Sequence, residues 1–252
     1  MRRRTNARVA GFAFLFYIAV GITQMVLSSA TRAEGTASRL ALIAGHASRM
    51  RVDIVLSLLV CITAVVLATT LFGLTRDEDR DLAVLALAFR LGEGVLIAIG
   101  SMTSLGLLWL ATEGAAIPAP TTAALTELLL QAQGWNVTVT ATLFALGSTV
   151  FSWLLLRGRM IPLALAWLGV VASVILVVGL PLRLVEVLSG PATQLMWLPM
   201  AAFEIPLGFW LLIKGVSAGP APASGTPGRW SGAARPDSPP SAAPPSPASR
   251  SR

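Results

Sequence analysis

The stretch LAVLALAFRLGEGVLIAIGSMTSLGLLWLA, residues Leu82–Ala111, decides the fold of this chain. It is longer than the roughly 20 apolar residues that a helix needs to cross the hydrocarbon core of a bilayer. It also contains Arg90 and Glu93, one helical turn apart, and ionisable residues are costly and rare inside membrane helices. The stretch therefore predicts a transmembrane helix with a polar group near its middle.

The composition of the whole chain is also typical of a membrane protein. Of the 252 residues, 55% are hydrophobic and 12% are charged, whereas soluble domains carry roughly 25% charged residues. The net charge of +7 is spread between apolar blocks and forms no basic face with interleaved aromatic residues, so nucleic acid is not an expected partner. The expected partner is the lipid bilayer; a protein partner or a homo-oligomer is left open.

Apolar segments of spanning length alternate with short polar connections, which predicts an all-α bundle of six transmembrane helices in residues 1–215. The predicted spans are 9–30, 52–74, 82–111, 135–156, 161–184 and 191–213. The basic start and the first apolar run also fit a secretory signal peptide, but the run exceeds its usual 7–15 apolar residues, so an uncleaved first span is favoured. Residues 216–252 are rich in Pro, Ser, Ala and Gly, which predicts a disordered tail.

Two of the connections contain helical patterns of their own. Apolar residues recur at helical spacing within residues 31–51, which predicts an amphipathic helix at the membrane surface. A second short surface helix is predicted in residues 112–134, beginning near Thr121 or Thr122. Asp53 follows at the mouth of the second span, where an acid at the start of a helix, favoured by the helix dipole, is preferred over a residue of a solute pathway.

The basic residues between the spans predict the orientation of the chain. With the N-terminus inside, 13 Lys and Arg residues fall in inner connections and five in outer ones, while Arg90 lies within a span. Cytoplasmic connections of membrane proteins carry the excess of Lys and Arg. Both termini are therefore expected in the cytoplasm.

Three ionisable side chains are expected at one depth in the bilayer. At 1.5 Å rise per residue, Arg90, Glu93 and Glu204 lie about 12, 16 and 15 Å from the inner edge of a core about 30 Å thick. Each lone charge there costs roughly 2.5–3.5 kcal/mol, so pairing is expected. We predict that Arg90 pairs with Glu93 at i,i+3 and also meets Glu204, clamping the third and sixth spans; one carboxyl is then expected to be protonated.

This cluster is compatible with two functions. The first is structural, a clamp inside a non-enzymatic membrane protein, and the alternative is a small proton-coupled transporter or carrier that uses Glu93 or Glu204. A second i,i+3 pair, Arg183 and Glu186, is predicted as a solvated ion pair near the outer surface.

No catalytic residue, metal site or cofactor is predicted. A single cysteine and a single histidine exclude a disulfide framework and a cluster of Cys and His ligands. The chain contains no HExxH sequence and no Walker sequence. An enzyme is therefore not expected.

Three sequence patterns resemble a known family: AFRLGEG at Ala88–Gly94, LRGRMIPLALAWLGVV at Leu156–Val171 and FEIPLGFWLLIKG at Phe203–Gly215. They are similar to the bacterial multi-pass membrane family catalogued as domain of unknown function 4386. The resemblance covers roughly residues 7–215 and implies six spans in the bacterial cell (inner) membrane, without a known substrate. It assigns the arginine-then-acid element to Arg90 and Glu93 and the acid of the last span to Glu204. The family often has an aspartate early in the fourth span, where Asn136 stands here.

Overall fold

The computed structural model describes residues 3–29, 35–188 and 190–216. All regular structure in this part of the chain is helical, which confirms the predicted all-α fold. Of the predicted tail, residues 217–252 lie outside the described residues. The helices are α1 (Arg3–Ser29), α2 (Thr36–Gly45), α3 (Ala47–Thr75), α4 (Arg80–Thr112), α5 (Ala119–Arg157), α6 (Leu163–Leu184), α7 (Ala192–Leu195) and α8 (Leu198–Ile213), with a short 3-10 turn at Gly114–Ala116 between α4 and α5.

Six helical segments in the described chain are long and apolar enough to cross a membrane, as predicted. Five of them are α1, α3, α4, α5 and α6, and α7 together with α8 forms the sixth. The helix α8 has 16 residues and is therefore about 24 Å long, which is shorter than a hydrocarbon core of about 30 Å.

The two surface helices predicted from the sequence have different outcomes. The amphipathic segment forms α2, whose Ile43 packs on Leu107 and Leu108 of α4, and the chain then breaks at His46 before α3 begins at Ala47. The second predicted surface helix does not exist as a separate element, because α5 continues unbroken from Ala119 to Arg157. Residues 121–134 are mostly good helix formers without an internal proline, so nothing ends the helix before the membrane.

The six spanning helices form a closed ring. Each of α1, α3, α4, α5, α6 and α8 packs against the next in that order, and α8 packs back against α1. The helices α4 and α8 therefore lie opposite each other across the ring. We name the two ends of the ring by their connections: the near side holds the α3–α4 and α5–α6 turns, and the far side holds the connections α1–α3, α4–α5 and α6–α8.

On the near side, a polar contact joins the α3–α4 turn to α5. Asp79 begins α4 by accepting a hydrogen bond from the backbone N–H of Leu82 at 3.1 Å, which satisfies one of the free donors at a helix N-terminus. The same carboxylate forms an ion pair with Arg157, at the end of α5, with 3.3 Å between Oδ2 and Nη1. Both side chains are partly exposed, as expected outside the hydrocarbon core.

Two glycines allow α1 and α8 to close the ring. A Cβ atom on Gly11 would lie 2.6 Å from the carbonyl oxygen of Gly208 and 2.5 Å from the backbone nitrogen of Leu212. Gly208 in turn lies under the side chains of Leu15 and Phe14. In lipid, where helices cannot associate through a difference in hydrophobicity, such close approach is a principal source of helix association.

We expect Gly11→Ala to destabilise the protein by about 1–3 kcal/mol, because the added methyl group overpacks two backbones that cannot give way. Gly21→Ala, on the same helix but with open space around its Cβ, is the matched control and should be neutral or gain up to about 1 kcal/mol from helix propensity. Thermal unfolding of the detergent-purified variants measures both. Equal midpoints for the two variants would contradict this account of ring closure.

Candidate intramembrane site

The predicted pair of Arg90 and Glu93 forms on the inner face of α4. Nη1 of Arg90 lies 2.8 Å from Oε2 of Glu93, and the two side chains are 2% and 0% exposed. The contact is an ion pair without the alignment of a hydrogen bond, and neither of these two atoms has another hydrogen-bond partner among the described residues. The i,i+3 spacing on one helix brings the two charges together.

Two aromatic side chains from neighbouring helices complete this pair. The hydroxyl of Tyr17 on α1 donates to Oε1 of Glu93 at 2.8 Å. The guanidinium carbon of Arg90 lies 4.8 Å from the ring centre of Phe144 on α5 and 5.9 Å from that of Tyr17. Cation–π attraction adds stabilisation when, as here, the cation is removed from water. Sequence reasoning missed Tyr17, although a lone tyrosine in the middle of a predicted span is a readable signal.

A glycine on α5 makes room for the arginine stem. A Cβ atom on Gly147 would lie 2.8 Å from Cγ and 2.9 Å from Cδ of Arg90. The aliphatic part of Arg90 therefore lies directly on the backbone of α5. Any larger residue at position 147 would clash with this stem, so either Arg90 or α5 would have to shift.

Glu204 is near this cluster but is not joined to it. It is 8% exposed, and no ion pair within 4.0 Å connects it to Arg90. The direct Arg90–Glu204 clamp predicted from the sequence is therefore absent. The helices α4 and α8 lie on opposite sides of the ring, so the two side chains approach each other across its interior, close enough for the charge of Arg90 to act on Glu204 but without direct contact. No hydrogen bond joins Glu204 to another described residue either.

A cavity of about 530 Å³ occupies the far half of the ring interior. Residues of α1, α3, α4, α5 and α8 line it, together with Trp197 at the start of α8. Its deep end contains Tyr17, Glu93 and Glu204. Its polar lining also includes Asp53, Ser57, Ser101, Ser104, Gln133, Asn136 and Thr140. The volume is within the range of about 300–1,000 Å³ typical of small-molecule sites.

A second, much smaller cavity lies on the near side of the cluster. It has a volume of about 10 Å³ and is lined by Arg90, Ser148, Ser152 and Glu204, with apolar side chains around them. Glu204 is the one described residue that lines both cavities. Its side chain therefore lies at the boundary between the large far-side cavity and the closed near half of the ring.

Asp53 belongs to the cavity rather than to a helix start. The helix α3 begins at Ala47 and has no acid in its first turn, so the preferred interpretation from the sequence is wrong. Nε2 of Gln24 on α1 donates to Oδ1 of Asp53 at 3.3 Å and to Oγ of Ser57 at 2.7 Å. These bonds connect α1 to α3 at the far end of the cavity lining.

The second predicted ion pair is also absent. Arg183 is in the last turn of α6, which ends at Leu184, and no ion pair within 4.0 Å joins it to Glu186. Glu186 lies beyond the helix with φ of 60°, so the helical i,i+3 geometry is lost. Both side chains are exposed to the surroundings.

A family profile described as "Domain of unknown function (DUF4386)" matches residues 9–215. The chain belongs to this family. The match begins within α1 and ends directly after α8, so it includes the whole ring and its cavity. No curated protein and no solved structure matches the chain.

Within this DUF4386 chain, Asn136 connects two helices of the ring. Its Nδ2 donates to the carbonyl oxygen of Leu96 on α4 at 3.0 Å, beside Gly100, where a Cβ atom would lie 2.6 Å from that nitrogen. An ionised aspartate has no donor for such a bond. Where the resemblance implies an acid, this chain therefore has a hydrogen bond between α5 and α4 in the cavity wall.

Removing one partner of the buried ion pair should be strongly destabilising. We expect Arg90→Met to cost about 3–5 kcal/mol, because Glu93 is left buried without its positive partner, with Tyr17 as its donor. The double variant Arg90→Met/Glu93→Gln should recover part of this loss, because no uncompensated charge remains. Thermal unfolding in detergent, analysed as a double-mutant cycle, measures the coupling. Arg49→Met, at an exposed position, is the control, and additive effects of the two single variants would contradict the expectation.

Proposed function

We propose that this membrane protein is a small non-enzymatic carrier that binds a solute in the far-side cavity, with Glu204 as the residue that exchanges protons or contacts the solute. The observation that carries the proposal is the position of Glu204, which is buried, has no hydrogen bond and no ion pair within 4.0 Å among the described residues, and lines both cavities. Ionisable residues inside membrane bundles commonly mark such pathways.

The Arg90–Glu93 pair has a different, structural role in this proposal. Arg90 does not line the far-side cavity, and its charge is matched by Glu93 at 2.8 Å. Tyr17 uses its hydroxyl to hold Glu93. These groups support the deep end of the site, while Glu204 keeps its capacity to accept a proton. The other ionisable side chains that line either cavity are Tyr17, Asp53, Arg90 and Glu93.

The near half of the ring supports a carrier rather than an open channel. Around and below the small cavity, the interior is filled by leucines that are 0–3% exposed. They come from α3, α5 and α8: Leu71, Leu74, Leu154, Leu155, Leu207 and Leu211. A site that opens toward one side and is closed toward the other is what alternating access requires of one state.

The far side is proposed to face the outside of the cell membrane, with both termini in the cytoplasm. The support is the distribution of basic residues, because the near-side connections and termini carry most of the Lys and Arg. A reporter active only in the cytoplasm should be active when fused after Gly215 and inactive when inserted in residues 113–118. The reverse pattern would contradict this orientation.

Cysteine modification tests whether the far-side cavity is accessible to water. In a Cys61→Ser background, we expect Ser101→Cys to react with a membrane-impermeant methanethiosulfonate reagent added from the far side, because Ser101 lines the cavity. Met102→Cys is the matched control, one residue away at nearly the same depth but turned away from the cavity on the lipid-facing side of α4, where Met102 is 71% exposed. An unreactive Ser101→Cys would overturn the proposed site.

The same chemistry tests movement between two states. Ser152 lines the small cavity and is 2% exposed, so it is closed off from both sides in this structure. A carrier must open its near half at times, and Ser152→Cys should then react slowly with reagent added from the near side. No reaction there over hours, with Ser101→Cys reactive from the far side, would mean a static binding protein and would overturn the carrier.

A further inference from the structure

The lining of the far-side cavity carries charge of one sign. Its ionisable side chains are those of Tyr17, Asp53, Glu93 and Glu204, and no Lys, Arg or His is among the described residues that line it. Arg90 balances Glu93 from behind the wall. Asp53 and Glu204 have no ion-pair partner within 4.0 Å among the described residues. A solute in this cavity therefore meets a negative potential whenever either carboxyl is ionised.

Glu204 is a carboxyl group in the cavity lining that receives no hydrogen bond from a described residue. An ionised carboxylate that is largely buried and receives no hydrogen bond from the protein is costly. When ionised it accepts about four hydrogen bonds, and none from a described residue is present. A cation that carries N–H groups would supply the missing charge and the missing donors together.

The rest of the lining suits an apolar body. The rings of Phe144 and Trp197 line the same cavity, with their centres 6.1 Å apart and their planes tilted by 36°. Aromatic faces attract cations within about 6 Å, tryptophan most strongly. Phe144 already faces the guanidinium of Arg90, so Trp197 is the aromatic side chain that is free of such a contact.

A bare metal ion fits this cavity poorly. Among the described residues, no group of three or more His, Cys, Asp and Glu is placed to hold a metal. Hard cations such as Ca²⁺ take about six to eight oxygen ligands at short distance. A volume of about 530 Å³ suits an organic molecule.

We infer that the far-side cavity binds a small organic cation, an amine or ammonium compound with an apolar or aromatic group. The ammonium lies at Glu204, and the apolar group lies toward Trp197 at the start of α8. This inference rests on the proposed function, because it names the class of solute that the carrier takes.

Three compounds of one size separate the contribution of charge from that of shape. Benzylamine, benzyl alcohol and benzoate are cationic, neutral and anionic near pH 7. We expect benzylamine at about ten times its Kd to raise the unfolding midpoint of the purified full-length protein by about 3–6 °C. Benzyl alcohol should have a much smaller effect and benzoate none. Equal shifts from benzylamine and benzyl alcohol, or no shift from benzylamine, would overturn the inference.

Two glutamate variants assign the effect to the site. Glu204→Gln should abolish the shift given by benzylamine, because it removes the anionic group that the ammonium contacts. Glu113→Gln is the matched control, an exposed glutamate at the far end of α4 that does not line the cavity, and should leave the shift unchanged. A benzylamine shift that survives in Glu204→Gln would place the cation elsewhere and overturn the assignment.

Reaction rates in the otherwise native site give a test that does not depend on the stability of Glu204→Gln. At Ser101→Cys, a trimethylammonium methanethiosulfonate should react about tenfold faster than the sulfonate reagent, after correction for their rates with a free thiol. A ratio near one would overturn the cation inference. It would not overturn the solute carrier. The carrier proposal fails only if Ser101→Cys reacts with neither reagent, or if Ser152→Cys never reacts from the near side.

Discussion

The ion pair between Arg90 and Glu93 is the interaction on which the other polar groups of the ring depend. Each of these charges alone would be costly in the middle of a bilayer, and at 2.8 Å the attraction between them offsets part of that cost. Because both lie on α4, the pair needs no second helix in order to form. The surrounding helices then fit around it: Tyr17 from α1 donates to the carboxylate, and Gly147 of α5 accepts the arginine stem.

The shape of the interior follows from where small residues lie. In the near half, Gly11 and Gly208 bring α1 and α8 into backbone contact. The ring of Phe203 packs against Gly169 of α6, where a Cβ atom would clash with it. In the far half of α1 no such contact exists, and Ile22 and Met25 are about 60–70% exposed. The ring is therefore tightly packed at one end and holds a cavity at the other. The short helix α8 adds to this difference, because it begins late on the far side.

The sequence predicts what depends on one helix at a time and misses what depends on the order of helices. Hydropathy was sufficient to predict the six spans. The i,i+3 spacing was sufficient to predict the ion pair between Arg90 and Glu93. Depth gave Glu204 the correct level but no direction around the ring. In the order α1–α3–α4–α5–α6–α8 it approaches Arg90 from across the interior without direct contact. The Arg183–Glu186 pair failed for a local reason, because the helix ends between them. Asp53 was misread because α3 begins six residues before it.

The different surroundings of Glu93 and Glu204 separate a structural role for Glu93 from the solute-binding role proposed for Glu204. Both are buried carboxyls in membrane helices, yet Glu93 has an arginine at 2.8 Å and a tyrosine hydroxyl as partners, whereas Glu204 has no ion pair within 4.0 Å and no hydrogen bond among the described residues. A glutamate with a purely structural role needs a bonding partner on another helix. The helix α8 instead packs against the ring through glycines and aromatic side chains. A neutral side chain at position 204 would satisfy that packing without the cost of burying a carboxyl. The acid is therefore best explained by what it meets from the cavity, a proton or a cationic solute.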